Sequence, residues 1–305
     1  MSESFSPQRW ANTLTTVLNA ALAGSADRFP VPVPDLARDY SRQRFPDDPI
    51  SLVQGDALPG FDGALYKAPP GKKGWGIIYN SAITSPGRIN FTLAHEFGHY
   101  LLHRLRFPDG LECGQQDVMR WDSEHRQIES QANEFAAALL MPLDDFRRQI
   151  DARAKPTLDE IGACAERYGV SLLAATLRWL EYTDRRAVLV VSREDFILWS
   201  RSSDRARRTG ALFRTANRPP IEIPATSLAA RPGLLEKSRG QVEHGRGVWF
   251  DEPCEELVLT SDQYDFTISL IHLEMLAPMR VFREEAEADA FDLMARNAGR
   301  SGPRR

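Results

Sequence analysis

Cysteine and histidine are both scarce in this sequence: the 305 residues hold three cysteines, Cys113, Cys164 and Cys254, and six histidines. Three widely separated cysteines draw neither a disulfide framework nor a paired Cys-x-x-Cys metal site, which favours a reducing compartment. Long apolar runs are missing as well. The longest, such as Ala187 to Val191, are strand-sized, so no membrane span is expected. Met1 to Trp10 is polar and charged with no apolar segment behind it, unlike a secretory signal. Strong net charge is absent too. A formal charge of −4 and a pI near 5.9 argue against a chain built mainly to hold nucleic acid. The expectation is a cytoplasmic protein without membrane association or direct nucleic-acid binding.

What is present is a mixed α+β pattern. Helical signals cover Pro7 to Ala23 and Asp35 to Arg42, on either side of a Pro-rich connector. Strand signals follow at Ile50 to Gln54, Gly63 to Lys67 and Trp75 to Asn80, separated by turns such as Ala68-Pro69-Pro70-Gly71. Ser85-Pro86-Gly87 then starts a helix running to about Arg104, with serine as cap and proline in the first turn. Phe107 to Trp121 reads as a loop. Ser123 to Met141 reads as a second helix stopped by Pro142, with Ile128, Ala132, Phe135, Ala136, Leu139 and Leu140 at helical spacing. Thr157 to Thr183 forms a helix-turn-helix-like pair joined at Gly169-Val170. A boundary near Arg185 divides residues 1–185 from a C-terminal α/β domain, 186–297, and a disordered tail, 298–305. Within that domain strands are expected at Ala187 to Ser192, Phe196 to Trp199, Gly247 to Phe250 and Leu257 to Leu259. Phe266 to Met275 reads as either a helix or a buried strand.

Half of the six histidines fall between His95 and His103. In His95-Glu96-Phe97-Gly98-His99 the two histidines are four positions apart, which on a helix puts both imidazoles on one face at the separation that suits a single metal ion. Glu96, one step round, is the general-base candidate, taking a proton from water and delivering it to a leaving amine. A catalytic zinc site needs three protein ligands and an open position. Glu129 on the second helix is the chosen third ligand, because a glutamate at the edge of a buried stripe needs a partner; Glu134 and His125 are its rivals. A histidine six residues after His99 would be the metzincin pattern, and Leu105 stands there instead. His103 is read as structural or as a support to the ligands, His125 and Asn133 as supporting or substrate-binding groups. Tyr79 belongs to the same class, on a strand whose edge is a candidate for pairing with an extended peptide. Gly98 in mid-helix implies close packing beside the site.

Asn90-Phe91-Thr92-Leu93-Ala94-His95-Glu96-Phe97-Gly98-His99-Tyr100, then Ile128-Glu129-Ser130-Gln131-Ala132-Asn133-Glu134-Phe135-Ala136-Ala137 and Leu139-Leu140-Met141-Pro142, resemble the ImmA/IrrE metallopeptidases. The resemblance extends over Tyr168-Gly169-Val170-Ser171, covering roughly Ile50 to Tyr182. It implies a zincin-like, minigluzincin-type domain in which His95, His99 and Glu129 hold zinc, with manganese as a substitute. It also implies a protein substrate, a helix-turn-helix transcriptional repressor, whose cleavage switches on stress-response or mobile-element genes.

Other features admit plainer readings. Cys113 is an ordinary loop cysteine rather than a latency switch. Acids at Asp159, Glu160, Glu166 and Glu181 balance Arg167 and Arg178, which favours packing over DNA reading for the helical pair. The arginines at 201, 205, 207, 208, 214 and 218 are the best candidates for docking an acidic partner or nucleic acid, against a default of a solvated loop, with Asp251, Glu252, Glu255 and Glu256 as alternative pairing partners. The alternative to an enzyme is a transcription-associated regulator with a structural metal, which would have no use for Glu96.

Overall fold

The computed structural model describes residues 5–22, 24–25, 28–114, 123–215, 218–261 and 266–275. The fold is mixed α and β, packed as two compact units. Among the described residues, the first comprises the chain through Phe146 together with Ala163–Ala174, and the second comprises Arg147–Gly162 and the chain from Ala175 to Met275. That division runs through the helical pair, whereas the sequence reading drew its line near Arg185.

In the first unit, helix α1 (Pro7–Ala21) is capped by Ser6, whose side chain accepts from the Arg9 amide, and α2 (Val33–Arg44) follows the Pro-rich connector. Strands β1 (Ile50–Asp56), β2 (Phe61–Lys67), β3 (Trp75–Asn80) and β4 (Gly110–Gly114) form one sheet in the order β1-β3-β2-β4. β1 runs parallel to β3, and β2 is antiparallel to both β3 and β4. This corrects the expectation for Trp75 to Asn80. β3 is hydrogen-bonded on both sides and has no edge to lend to a peptide. β4 falls inside the stretch expected as a loop.

Helix α3 (Pro86–Leu102) starts as its sequence predicts, with Ser85 accepting from the Arg88 amide and Pro86 in the first turn. It packs on β2 and β3 with one face and on α4 (Ser123–Leu140) with another. All six of the apolar positions that predicted α4 are buried. Together with Leu65, Trp75 and Ile77 from the sheet and Phe97, Tyr100 and Leu101 from α3, they form the core beneath the motif. Gly98 lies at the α3–α4 crossing: a Cβ there would stand 2.8 Å from Phe135 Cδ1 and 3.4 Å from the Ala132 backbone. Close packing is thus the reason for glycine in mid-helix. After α5 (Leu143–Gln149) come α6 (Leu158–Tyr168) and α7 (Leu172–Leu180). Gly169 turns between them at φ +59°, and its carbonyl accepts from Asn90 on α3 at 3.2 Å.

The second unit is built on β5 (Ala187–Arg193), β6 (Phe196–Ser202), β7 (Arg239–His244), β8 (Cys254–Ser261) and β9 (Phe266–Leu273), in the order β6-β5-β9-β8-β7. Every pairing is antiparallel. The expected α/β domain is therefore an antiparallel sheet, with the five-residue α8 (Asp204–Arg208) as the helix that follows β6. β9 settles the helix-or-strand ambiguity. It is central, and its side chains from Ile268 to Leu273 are all buried, which explains an apolar run without period-2 alternation. Gly247 to Phe250 is not a strand; Val248, Trp249 and Phe250 instead fill the core around Val188, Val258 and Ile271. The side chain of Cys113 and the tail 298–305 lie outside the described residues.

Candidate metal centre

α3 and α4 bring three donors to one point. His95 Nε2 and His99 Nε2 stand 2.8 Å apart, and Glu129 bridges them, Oε2 at 3.2 Å from His95 and Oε1 at 3.2 Å from His99. All three side chains are buried. The helical repeat explains the first pair, since residues four apart share a face. The α3–α4 seam at Gly98 explains the third.

The arrangement fits a metal ion. A tetrahedral zinc with bonds of 2.0–2.1 Å sets its ligand atoms roughly 3.3 Å apart, close to the spacings seen here. Two imidazoles and a carboxylate are a donor set that zinc accepts. Among the described residues, this is the one group of histidine, cysteine or acidic side chains with that convergence. His95 Nδ1 lies 2.9 Å from Asn133 Oδ1, so the ring donates its Nδ1 proton away from the cluster and turns its Nε2 lone pair inward. On the far side His99 Nδ1 lies 3.0 Å from His103 Nδ1, and His103 Nε2 lies 2.9 Å from Gln131 Oε1.

Burial pulls the His95 imidazolium down, yet the hydrogen bond and charge of Glu129 outweigh it and hold His95 above its ordinary value. Burial and the charge of His95 bring His99 down to about 4. Burial opposes ionisation of Glu129, but its bonds to both rings keep it far below the usual carboxylate range.

Glu96 is fully buried on α3, near enough for its charge to act on His95. Gly63 of β2 makes that position possible: a Cβ there would lie 2.5 Å from Thr92 Cγ2 and 2.9 Å from Glu96 Oε1. Tyr79 is the cross-strand partner of Gly63 and so shares its sheet face, while its ring lies over Gly55 of β1. Glu134 is exposed, and His125, half-buried at the start of α4, stands outside the trio. His103 lies four residues after His99, so the helical repeat brings the two rings to one face. As the residue that closes the helix, with φ −123° and ψ −16°, His103 turns its ring back under His99. Gln131 was missed by sequence reasoning, since a glutamine on a helix carries no signal until its partner is placed.

The two arginines of the helical pair have acidic partners, Arg167 with Asp145 and Arg178 with Glu181, consistent with packing. Three of the later acids are held by partners outside the arginine run. Glu252 binds Arg186, Glu255 binds Lys155, and Glu256 is held by serines and His244. Asp204 and Asp184 serve the run instead. No described helix is long and apolar enough to cross a membrane.

A search of curated proteins finds no match to this chain. A family model does match: that of the peptidase family M78, described as the IrrE N-terminal-like domain, over residues 53–180. The matched stretch begins in β1, contains His95, Glu96, His99 and Glu129, and ends with α7. Over residues 53–180 the chain is thus similar to the IrrE N-terminal-like domain, in agreement with the resemblance to the ImmA/IrrE family.

Proposed function

We propose that this protein is a zinc-dependent endopeptidase of the minigluzincin type, with manganese as an alternative ion, that cleaves a helix-turn-helix transcriptional repressor. The observation that carries the reading is the buried convergence of His95, His99 and Glu129 with a fully buried Glu96 on the same helix. A divalent ion held by that trio would acidify water and polarise a peptide carbonyl. Glu96 takes the proton from the attacking water and returns it to the leaving amine. Asn133 keeps His95 in the ligating tautomer. A structural metal site has no role for such a carboxylate, which disfavours a purely structural metal. The repressor substrate and the stress-response role rest on the family resemblance.

The test is incubation of the purified chain with the helix-turn-helix repressor encoded nearest its gene. Wild type is expected to cut once. Glu96→Gln at equal zinc content is expected to lose roughly 100-fold or more in rate. Equal cutting by both, or no cutting by either with one zinc bound to each, would reject the reading.

A further inference from the structure

The two ligand histidines are supported differently. His95 is held in one step by Asn133. His99 is held in two, through the buried His103 to Gln131. Gln131 and Asn133 flank Ala132 on α4, the residue beneath Gly98, so one helix supports both ligands.

A chain of two neutral imidazoles has two polarities. In one, His103 donates its Nε2 proton to Gln131 Oε1, its bare Nδ1 accepts the Nδ1 proton of His99, and His99 keeps a lone pair on Nε2. In the other, His103 carries its proton on Nδ1 and donates it to His99, which must then be protonated on Nε2, the atom that faces the trio. A neutral imidazole has one N–H, so the two states exclude each other. The amide oxygen at 2.9 Å from His103 Nε2 accepts and cannot donate, which selects the first.

We propose that His103 and Gln131 are positioning residues that fix the tautomer and orientation of the metal ligand His99, Gln131 setting the direction of the hydrogen-bond chain and His103 transmitting it. The inference rests on the metal-site reading and goes beyond it by assigning two residues outside the His-Glu-x-x-His pattern. Gln131→Leu keeps the bulk and removes the acceptor. Gln131→Glu keeps an acceptor and should rescue.

The experiment is zinc affinity of the full chain, measured by competition with a chromophoric chelator, for wild type, His95→Ala, Gln131→Leu and Gln131→Glu. Thermal unfolding of each metal-free protein is recorded alongside. Loss of an outer support of a ligand histidine costs about 10- to 100-fold in affinity. Gln131→Leu should fall in that range while its metal-free form stays folded with a lowered melting temperature, because the buried His103 N–H loses its acceptor, and Gln131→Glu should bind within a few-fold of wild type. Two-dimensional ¹⁵N NMR of the histidine rings in metal-free wild type, which needs no variant to fold, should show His99 protonated on Nδ1 and His103 on Nε2. His99 protonated on Nε2, or Gln131→Leu binding zinc as tightly as wild type while His95→Ala does not bind, would overturn the inference and leave the metal site standing. Wild type and His95→Ala binding zinc equally weakly would instead overturn the metal site itself.

Discussion

Among the described residues, histidine is buried against carboxylate at two places, at His95, His99 and Glu129 in the first unit and at His244 and Glu256 in the second, and the surroundings make them opposites. Glu256 is fully buried and sits among donors: the Ser227 hydroxyl at 2.6 Å, the Ser269 hydroxyl at 3.0 Å, the Leu228 amide at 3.2 Å and His244 Nε2 at 2.7 Å. Its lone pairs are taken, and the cluster is a staple that ties β7, β9 and the 227–229 turn to β8. Around Glu129 the balance is reversed. Ring protons point outward to Asn133 and along the His103 chain, so lone pairs converge on one point and call for a cation. Residue types barely distinguish the two sites. The count of donors and acceptors around the carboxylate does.

The sharpest way to break this comparison is to remove each carboxylate in turn. Glu256→Leu should cost about 3–5 kcal/mol in urea unfolding, because it strands buried donors, and should leave zinc affinity unchanged. Glu129→Leu should abolish tight zinc binding. If Glu256→Leu also abolished it, the two sites would not be separable in function.

His272 extends the contrast between histidines. Burial brings it down to about 4, like His99, but its Nε2 donates to the Pro156 carbonyl at 3.1 Å and its ring lies edge-on to Trp179. A histidine depressed in the fold stays neutral there, while the unfolded chain takes up the proton first as pH falls below about 6.5. Stability is therefore full above that pH and declines towards pH 4, by at most ~3 kcal/mol for this group. Chemical denaturation across that window should show a steeper decline for wild type than for His272→Asn; equal slopes would remove His272 from the account.

The smallest effect concerns the seam that builds the metal centre. Gly98→Ala gains about 1 kcal/mol of helix propensity but drives a methyl into the buried Phe135 and the Ala132 backbone. A net loss of about 1–2 kcal/mol is expected in thermal unfolding. A gain would mean that α3 and α4 separate without penalty.

The elements that the sequence makes legible are those stated locally. α3 and α4 carry their own caps, stops and apolar periodicity, and β3 matches its predicted bounds because turns flank it. β4 and β7 were not legible. β4 is a short segment rich in glycine and acid that becomes a strand only by pairing with β2, some 45 residues earlier in the chain. β7, Arg-Gly-Gln-Val-Glu-His, is a polar edge defined by β8. Conversely Gly247 to Phe250 has strand composition but uses its aromatics to fill a core.

By itself the sequence determined the pairing of His95 and His99 on one face of α3, since a four-residue spacing on a helix is a geometric statement, and it determined the helix that carries Glu129. The sequence also named Glu129 ahead of Glu134 and His125, while tertiary structure alone decided the distances at which Glu129 meets the histidines, that Gly63 leaves space for Glu96, and that Gln131 stands at the end of the His103 chain. Those relations cross between elements far apart in the chain. Side-chain direction there is set by how helices and strands pack, which no local pattern of residues encodes.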